Sequence, residues 1–244
     1  MVEEFQMTYL GKETTFQWLG HSTFLIGTPS GRSVLFDPWF DNPSFPKEIP
    51  EPEQVDLILL THGHGDHSDS VIPQALKHGC QVVCNVELAH WFRKQGLPED
   101  QVVEMNKGGT IEICDLQVTM TDARHSSGII IDDEYRYGGE AAGYVVETEN
   151  EFRFYYAGDT CVFGDMALIG ELYSPTMAIL PIGDLYTMGP REAAKAAHLL
   201  GVQMVIPMHY GTFPALHGTP GQLREAIGNL PIEVIDIEPG QTVE

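Results

Sequence analysis

The first third of the chain consists of short segments in which apolar positions alternate with polar ones or run together. Gly-containing turns separate the segments at residues 15–19, 22–26 and 33–36, a spacing that is typical of an antiparallel meander of strands. A Pro-rich connection at residues 43–52 follows. The largely apolar residues 55–60 are then short enough to form a strand that is buried on both faces.

After residue 60 the pattern of apolar residues predicts two further sections, and each of them contains both strands and helices. The first section predicts helices at residues 71–78 and 86–95 and strands at residues 81–84, 109–113 and 116–121. The second predicts a hairpin of strands 142–148 and 152–156, a strand at 177–180, a helix at 190–200 and a strand at 202–206. Two such halves, each a sheet with helices on its outer face, predict an α/β fold built as a four-layer αββα sandwich.

Residues 126–139 are acidic and rich in glycine, and they show no clear period. We interpret this segment as a loop that could overhang a functional site, because binding residues are often placed on loops. A plain excursion on the surface is an equally good interpretation.

Length and composition are those of an ordinary globular protein, with 244 residues and 43% hydrophobic positions. We expect a single domain over residues 1–244, because α/β folds of this length regularly form around one core. The N-terminus lacks the pattern of a secretory signal and no segment approaches a membrane span, so we expect a cytoplasmic protein. The cysteines form no Cys-x-x-Cys pair, which favours reduced and mostly buried thiols, Cys161 among them.

The chain carries a formal net charge of −22 and has a pI near 4.6. Such a field repels nucleic acid and anionic membranes, so we expect neither as a stable partner. The simplest function of the charge is solubility. The expected partner is a small-molecule substrate, and self-association into a homo-oligomer is left open.

The candidate chemistry begins where the buried strand 55–60 should end, in the run Thr61-His62-Gly63-His64-Gly65-Asp66-His67. His62 and His64 can converge on one point, while Asp66 and His67 turn toward another. Imidazole and carboxylate groups favour zinc, with manganese, iron or nickel as alternatives. Gly63 and Gly65 would keep side chains away from the ions. A His-rich surface loop without metal is the alternative, but so many ligands within six residues favour a metal site.

Two adjacent ions need further ligands, because each ion in a catalytic centre takes about three protein donors. His125, Asp159 and His209 each follow a predicted strand, where a sandwich fold would gather them. Taken singly, they could equally be a loop histidine, a turn residue beside Gly158 and a buried imidazole. Their coincidence with the His62–His67 run favours the metal interpretation.

These residues, in this order, resemble the metallo-β-lactamase superfamily. Further blocks resemble a family of metal-dependent hydrolases and, more loosely, the L-ascorbate-6-phosphate lactonases and N-acyl-phosphatidylethanolamine phospholipase D. The blocks are Trp18-Leu19-Gly20-His21-Ser22, Asp37-Pro38-Trp39-Phe40, Gly139-Glu140-Ala141-Ala142-Gly143, Pro181-Ile182-Gly183-Asp184 and Met208-His209-Tyr210-Gly211-Thr212-Phe213-Pro214. The resemblance implies one metal ion held by His62, His64 and His125, another held by Asp66, His67 and His209, and Asp159 as the bridge between them.

The expected activity is hydrolysis of a small ester, lactone or amide by a hydroxide that two divalent ions share. A phosphodiesterase that uses the same ions is the alternative, and the ligands do not separate the two. As catalytic residues we expect Asp66, which would receive or relay a proton, and His21, which would contact the substrate or an oxyanion. His21 could instead be a buried histidine that ties two loops together. Asp37 is expected to support a metal-binding histidine.

Two other functions fit the sequence less well. A redox di-iron protein of this superfamily would carry a Glu within the histidine motif and a second domain, whereas this chain has His64 and room for one domain. A non-catalytic metal-binding protein would be expected to lack a ligand. For Asp184, Tyr186 and His217, the sequence leaves open whether they contact substrate or are ordinary loop residues.

Overall fold

Two sheets of seven strands each form the centre of the protein, whose computed structural model describes residues 13–131 and 133–244. In chain order the strands are β1 Thr15–Trp18, β2 Phe24–Gly27, β3 Ser33–Phe36, β4 Leu57–Leu59, β5 Gln81–Asn85, β6 Val102–Met105, β7 Thr110–Ile113, β8 Leu116–Asp122, β9 Gly128–Ile131, β10 Glu134–Tyr137, β11 Ala142–Glu147, β12 Arg153–Tyr156, β13 Met177–Pro181, β14 Met204–Met208, β15 Glu233–Val234 and β16 Thr242–Val243. The helices are α1 Gly65–Ser68, α2 Val71–His78, α3 Val86–Lys94, α4 Met166–Tyr173, α5 Pro190–Leu200 and α6 Pro220–Ile227.

The two sheets share one plan. The first has the order β16-β1-β2-β3-β4-β5-β6 and the second the order β15-β14-β13-β12-β11-β8-β7. β1, β2 and β3 pair antiparallel, which confirms the predicted meander, and β3 to β6 pair parallel. In the second sheet β7, β8, β11 and β12 are antiparallel, and β12 to β15 are parallel. The similarity of the two halves is therefore real at the level of topology.

The apolar residues form three clusters that correspond to the interfaces between four layers. The central cluster lies between the sheets, where Phe16 of β1 meets Phe154 of β12 edge to face at 5.2 Å. A second cluster joins α4, α5 and α6 to the second sheet, and a third joins α2 and α3 to the first. Strands β4, β13 and β14 are buried along their whole length, as strands covered on both faces must be. The predicted αββα sandwich is confirmed.

The prediction of an irregular loop at residues 126–139 was wrong, because most of this segment forms the antiparallel hairpin β9–β10. Its strands carry Ile129, Ile130, Tyr135 and Tyr137, residue types that favour extended backbone. Asp133, in the turn, has a left-handed conformation with φ of 61°. The charged residues and glycines around them interrupt the run of strand-forming residues, so the sequence shows no clear strand pattern here. We call β9 and β10 the overhanging hairpin.

All four cysteines are free, as predicted. Cys80 and Cys84 are buried, but Cys161 is exposed, so the prediction of a packed thiol at this position was wrong. The neighbouring Thr160 is buried instead, and its hydroxyl donates a hydrogen bond to the Cys161 carbonyl at 2.7 Å. Within the described residues, every helix is too short or too polar to cross a membrane.

Candidate metal centre

The His62–His67 run lies at the end of the buried strand β4, where it passes from the first sheet into the short helix α1. Nε2 of His62 and Nδ1 of His64 lie 3.0 Å apart, and the ring of His125 is 5.1 Å from both of theirs. One nitrogen from each of the three rings lies within 4.8 Å of the others. We call His62, His64 and His125 the first histidine group.

The turn of α1 directs Asp66 and His67 toward a different point from His62 and His64. There they meet His209, which follows β14 of the second sheet, and His21, which follows β1 of the first. One ligand atom from each of these four residues lies within 4.8 Å of the others. We call Asp66, His67 and His209 the second group and treat His21 separately below.

Asp159 lies between the two groups and is only 3% exposed. Its Oδ2 is 3.6 Å from Nε2 of His125 and 3.1 Å from Nε2 of His209, while its Oδ1 is 3.4 Å from Nε2 of His67. The Gly158 turn at the end of β12 brings the carboxylate to this position. One carboxylate is therefore within a few ångströms of both groups.

Several buried polar atoms of the centre make no hydrogen bond of acceptable geometry. They include Nε2 of His67, Nε2 of His209 and Oδ1 of Asp159. Burying such atoms without a partner is costly, so native proteins pair nearly all of them. These three atoms face one another, and all are metal-binding types. The residues of this centre therefore fit a bound cation.

The ring nitrogens that face away from the centre do have partners in three of the histidines. Nδ1 of His62 is 3.0 Å from the Thr61 hydroxyl, and Nε2 of His64 is 3.2 Å from the Ser126 hydroxyl. Nδ1 of His67 is 2.8 Å from Oδ2 of Asp37. Metal-binding histidines usually donate their second N–H in this way, which fixes the ring and leaves the other nitrogen for the ion.

Asp37 supports His67 as expected and is itself held by several donors. The Thr61 amide donates to its Oδ1 at 2.8 Å, and the Thr61 hydroxyl donates to its Oδ2 at 2.7 Å. The hydroxyl of Tyr156, from the second sheet, lies 3.2 Å from the same Oδ2 and contacts the Ser22 carbonyl. The carboxylate that orients His67 is thus anchored to both sheets.

The electrostatics of the metal-free centre are dominated by burial and by its carboxylates. Burial lowers the pKa of His62, His64 and His125, so these rings are neutral, the form that binds metal. Burial alone would also lower the pKa of His67, but Asp159 and Asp37 outweigh it and raise that pKa well above its usual value. For Asp159, burial is outweighed by His209 and His67, which hold its pKa well below the usual range. In the metal-free centre, His67 is therefore protonated, and its positive charge lies between the carboxylates of Asp159 and Asp37.

His21 is fully buried and contacts the second group rather than open space. Its Nε2 is 3.1 Å from Oδ2 of Asp66 and its Nδ1 is 3.0 Å from the Thr212 hydroxyl. Its carbonyl accepts a hydrogen bond from the His209 amide at 3.0 Å. Burial lowers the pKa of His21 to about 4, despite the hydrogen bond to Asp66. These contacts match the alternative in which His21 ties two loops together.

The Asp66 carboxylate stays ionised at neutral pH. Burial would raise its pKa, but the His21 hydrogen bond and the charge of His67 hold it well below the usual range. With 32% of its side chain exposed, Asp66 is the more accessible of the two carboxylates in the centre.

Three residues around the centre have a left-handed backbone conformation that side chains disfavour. They are His21 with φ of 52°, Asp37 with φ of 42° and His209 with φ of 55°. Each such non-glycine residue costs about 1–2 kcal/mol relative to ordinary backbone. Such strain clusters at functional sites, where the surrounding structure holds it in place.

The centre opens into a cavity of about 320 Å³. Tyr186 lines this cavity, whereas Asp184 and His217 line a different one and lie 3.7 Å from each other. The sequence analysis had left open whether these three residues contact substrate. The prediction that residues 126–139 overhang the site is confirmed, because Ile130 and Tyr135 of the overhanging hairpin line the cavity. The sequence analysis did not single out these two residues, although their strand-forming types were a usable signal.

Packing also requires a glycine at position 63, beside the role toward the ions that the sequence predicts. A Cβ at this position would lie 2.5 Å from Cγ2 of Ile129 and 3.0 Å from Cδ2 of Leu88. The absent side chain thus lets the overhanging hairpin approach the metal motif. At Gly65 a Cβ would likewise meet a side chain, with Oδ1 of Asp69 at 2.9 Å.

A four-layer αββα sandwich that gathers histidines and aspartates at the strand ends of both sheets defines a metal-dependent hydrolase with the metallo-β-lactamase fold. Residues 32–210 match the family model of the β-lactamase superfamily domain. The chain belongs to this superfamily and, within it, to the UPF0173 metal-dependent hydrolases.

The relatives that show this membership cover nearly the whole chain. A UPF0173 metal-dependent hydrolase of Solibacter usitatus is 49% identical over 228 residues, which are 93% of this chain and 98% of that protein. One of Herpetosiphon aurantiacus is 47% identical over 232 residues, 93% of this chain and 96% of that protein. The solved structure of Igni18, a metallo hydrolase from the archaeon Ignicoccus hospitalis, has a TM-score of 0.83 at 31% identity and covers 94% of this chain and 97% of that one.

Proposed function

We propose that the centre holds two divalent metal ions, with zinc favoured by its nitrogen and oxygen donors. One ion would be bound by the first histidine group and the other by the second group, with Asp159 shared between them. The position of the Asp159 carboxylate carries this proposal, because it is within 3.6 Å of a histidine of each group. The unpaired Nε2 atoms of His67 and His209 support it.

Ions bound in this way would supply a water of lowered pKa and would polarise the oxygen of the substrate. The other functions fall to the protein. His21 holds Asp66, which lines the cavity, and the Thr212 hydroxyl holds the other ring nitrogen of His21. Asp66 is ionised, so it can accept a proton from the attacking water and pass it to the leaving group. Its low pKa makes it a weak base, and we therefore assign it first to holding the ion.

The reaction that we propose is hydrolysis of a small ester, lactone or amide. The size of the cavity supports a small-molecule substrate, since pockets of about 300–1,000 Å³ enclose molecules of this kind. A nucleic-acid substrate is disfavoured by the net charge of −22.

Metal analysis and a substrate screen test this function together. We expect about two metal ions per chain and hydrolysis of at least one class among lactones, carboxylic esters and amides. His64→Ala removes one donor of the first group and should lower that activity by about a hundredfold. His198→Ala, at an exposed position of α5, is the matched control and should change neither quantity.

Fewer than about one ion per chain after loading would contradict the dinuclear centre. Hydrolysis that survives His64→Ala unchanged would contradict its role in the reaction. Turnover of phosphodiesters alone would overturn the assignment of the bond while leaving the metal centre in place.

His21→Ala is expected to weaken the binding of one ion by about 10–100-fold, because Asp66 loses the group that orients it. Competition with a chromophoric chelator measures this affinity. His90→Ala, a histidine exposed on α3, should leave it unchanged. If His21→Ala keeps full metal affinity but lowers kcat, His21 acts on the substrate and not through Asp66.

A further inference from the structure

The cavity over the metal centre has a polar floor and an apolar wall. Its floor carries side chains of the two groups and of Asp159, and its wall carries Ile130 and Tyr135 from the overhanging hairpin and Tyr186 and Phe213 from two loops. The base of the hairpin is fixed to the metal motif, because the Gly63 amide donates a hydrogen bond to the Ser127 hydroxyl at 3.1 Å. The apolar wall is therefore held in place beside the reacting groups.

The wall residues are large apolar side chains that do not pack in the hydrophobic core. Ile130 is 59% exposed, Tyr135 is 75% exposed and Tyr186 is 61% exposed. Single exposed apolar residues are common and need no explanation, but a cluster around a concave site marks a binding surface. Successive side chains of a strand point to opposite faces. Because Ile129 is buried against Gly63, its neighbour Ile130 points outward.

The part of the chain that the structure describes places no cationic side chain in the lining of this cavity. Among the described residues that line it, none is a lysine or an arginine. Arg124, next to His125 in the chain, forms an ion pair with Asp165, with 3.6 Å between Nη2 and Oδ2. Its guanidinium lies over the ring of Phe163. An anionic group on the substrate, away from the bond that is cleaved, would meet apolar side chains and the repulsive field of an acidic protein.

We propose that the substrate is an uncharged lactone or carboxylic ester whose apolar substituent packs against Ile130, Tyr135, Tyr186 and Phe213. This inference rests on the proposed function and narrows it. In the reaction, a water oxygen bonds to the carbonyl carbon, the acyl C–O bond breaks, and the leaving oxygen takes a proton to become an alcohol. The carbonyl carbon becomes a carboxylic acid that ionises, on the same molecule as the alcohol when the substrate is a lactone.

A series of γ-lactones with growing side chains tests the apolar wall: γ-butyrolactone, γ-hexalactone, γ-octalactone and γ-decalactone. We expect kcat/KM of the metal-loaded protein to rise about two- to fourfold for each added methylene, as burial of apolar surface predicts. The γ-carboxylated butyrolactone, which is an anion, should be cleaved more slowly than γ-butyrolactone.

The hairpin offers a matched pair of variants. Tyr135 lines the cavity and Tyr137 does not, although they are 75% and 73% exposed on the same strand β10. Tyr135→Ala should lower kcat/KM for γ-decalactone about tenfold more than for γ-butyrolactone, which lacks the alkyl substituent. Tyr137→Ala should change neither. A metal content equal to that of the parent protein would show that the metal centre of Tyr135→Ala is intact.

Binding of hexylcyclopentanone, an uncleavable analogue, gives a readout that is independent of turnover. Calorimetry should show a Kd that Tyr135→Ala weakens and Tyr137→Ala does not. A flat lactone series, equal effects of the two variants or a preference for the anionic lactone would overturn the inference. If no substrate class is hydrolysed at all, the proposed function fails. The apolar wall is then still supported by selective loss of hexylcyclopentanone binding in Tyr135→Ala and overturned by its absence.

Discussion

Asp159→Asn is expected to lower hydrolytic activity by about a thousandfold or more and to release at least one metal ion. Removing a residue that merely supports a metal ligand already costs about 10–100-fold in affinity or activity. Asp159 is closer to the chemistry, because its two oxygens reach His125, His209 and His67 within 3.6 Å. Asparagine keeps the shape of the side chain but removes the negative charge that offsets a cation.

Elemental analysis and steady-state kinetics on the lactone or ester identified by the screen measure this effect. Asp165→Asn is the matched control, since Asp165 is an exposed aspartate beyond the end of β12 that pairs with Arg124. The control should retain metal and activity. A fully metal-loaded Asp159→Asn protein with activity within about tenfold of the parent would contradict the bridging role.

Gly183→Ala is expected to lower the free energy of unfolding by about 3 kcal/mol, the cost of forcing an atom into packed structure. A Cβ at residue 183 would lie 2.1 Å from the backbone oxygen of His209. Backbone cannot swing aside as a flexible side chain can, so His209 itself must move. The variant should therefore also weaken binding of the ion at the second group.

Urea unfolding with and without a chelator separates the two consequences of this substitution. Gly164→Ala is the control, because a Cβ there would meet nothing within 4 Å. It should unfold like the parent protein and bind metal normally. If Gly183→Ala behaved as Gly164→Ala does, the contact with His209 would have no role in holding the centre.

Much of the fold could be predicted because the pattern of apolar residues and the tertiary structure agree. Strand β4 is a continuous apolar run that is buried on both faces, and α5 spans the residues that its periodicity indicates. Helix α6 was missed although it carries clear signals, with Pro220 at its first turn and a capping box between Thr219 and Gln222. Helix α4 carries fewer signals, because Asp165 precedes it but neither a proline nor an acidic residue lies in its first turn.

The candidate site could be predicted where its ligands are close in the chain and end a recognisable strand. His62, His64, Asp66 and His67 are local, so one run of sequence shows them together. Contacts across the two sheets are different. The approach of Tyr156 to Asp37 and of His21 to Asp66 depends on how the sheets pack, and no spacing in the sequence encodes it. The same limit applies to the wall formed by Tyr135 and Tyr186.

The left-handed backbone at His21, Asp37 and His209 sets a limit for anyone who engineers this protein for heat resistance. Glycine adopts that conformation without steric strain, so a screen that rewards folding alone would favour glycine at these positions. Each such gain would remove an imidazole or a carboxylate from the surroundings of the ions. Glycine at these positions would therefore raise thermostability and lower turnover, so a mutant library should leave these three residues unchanged.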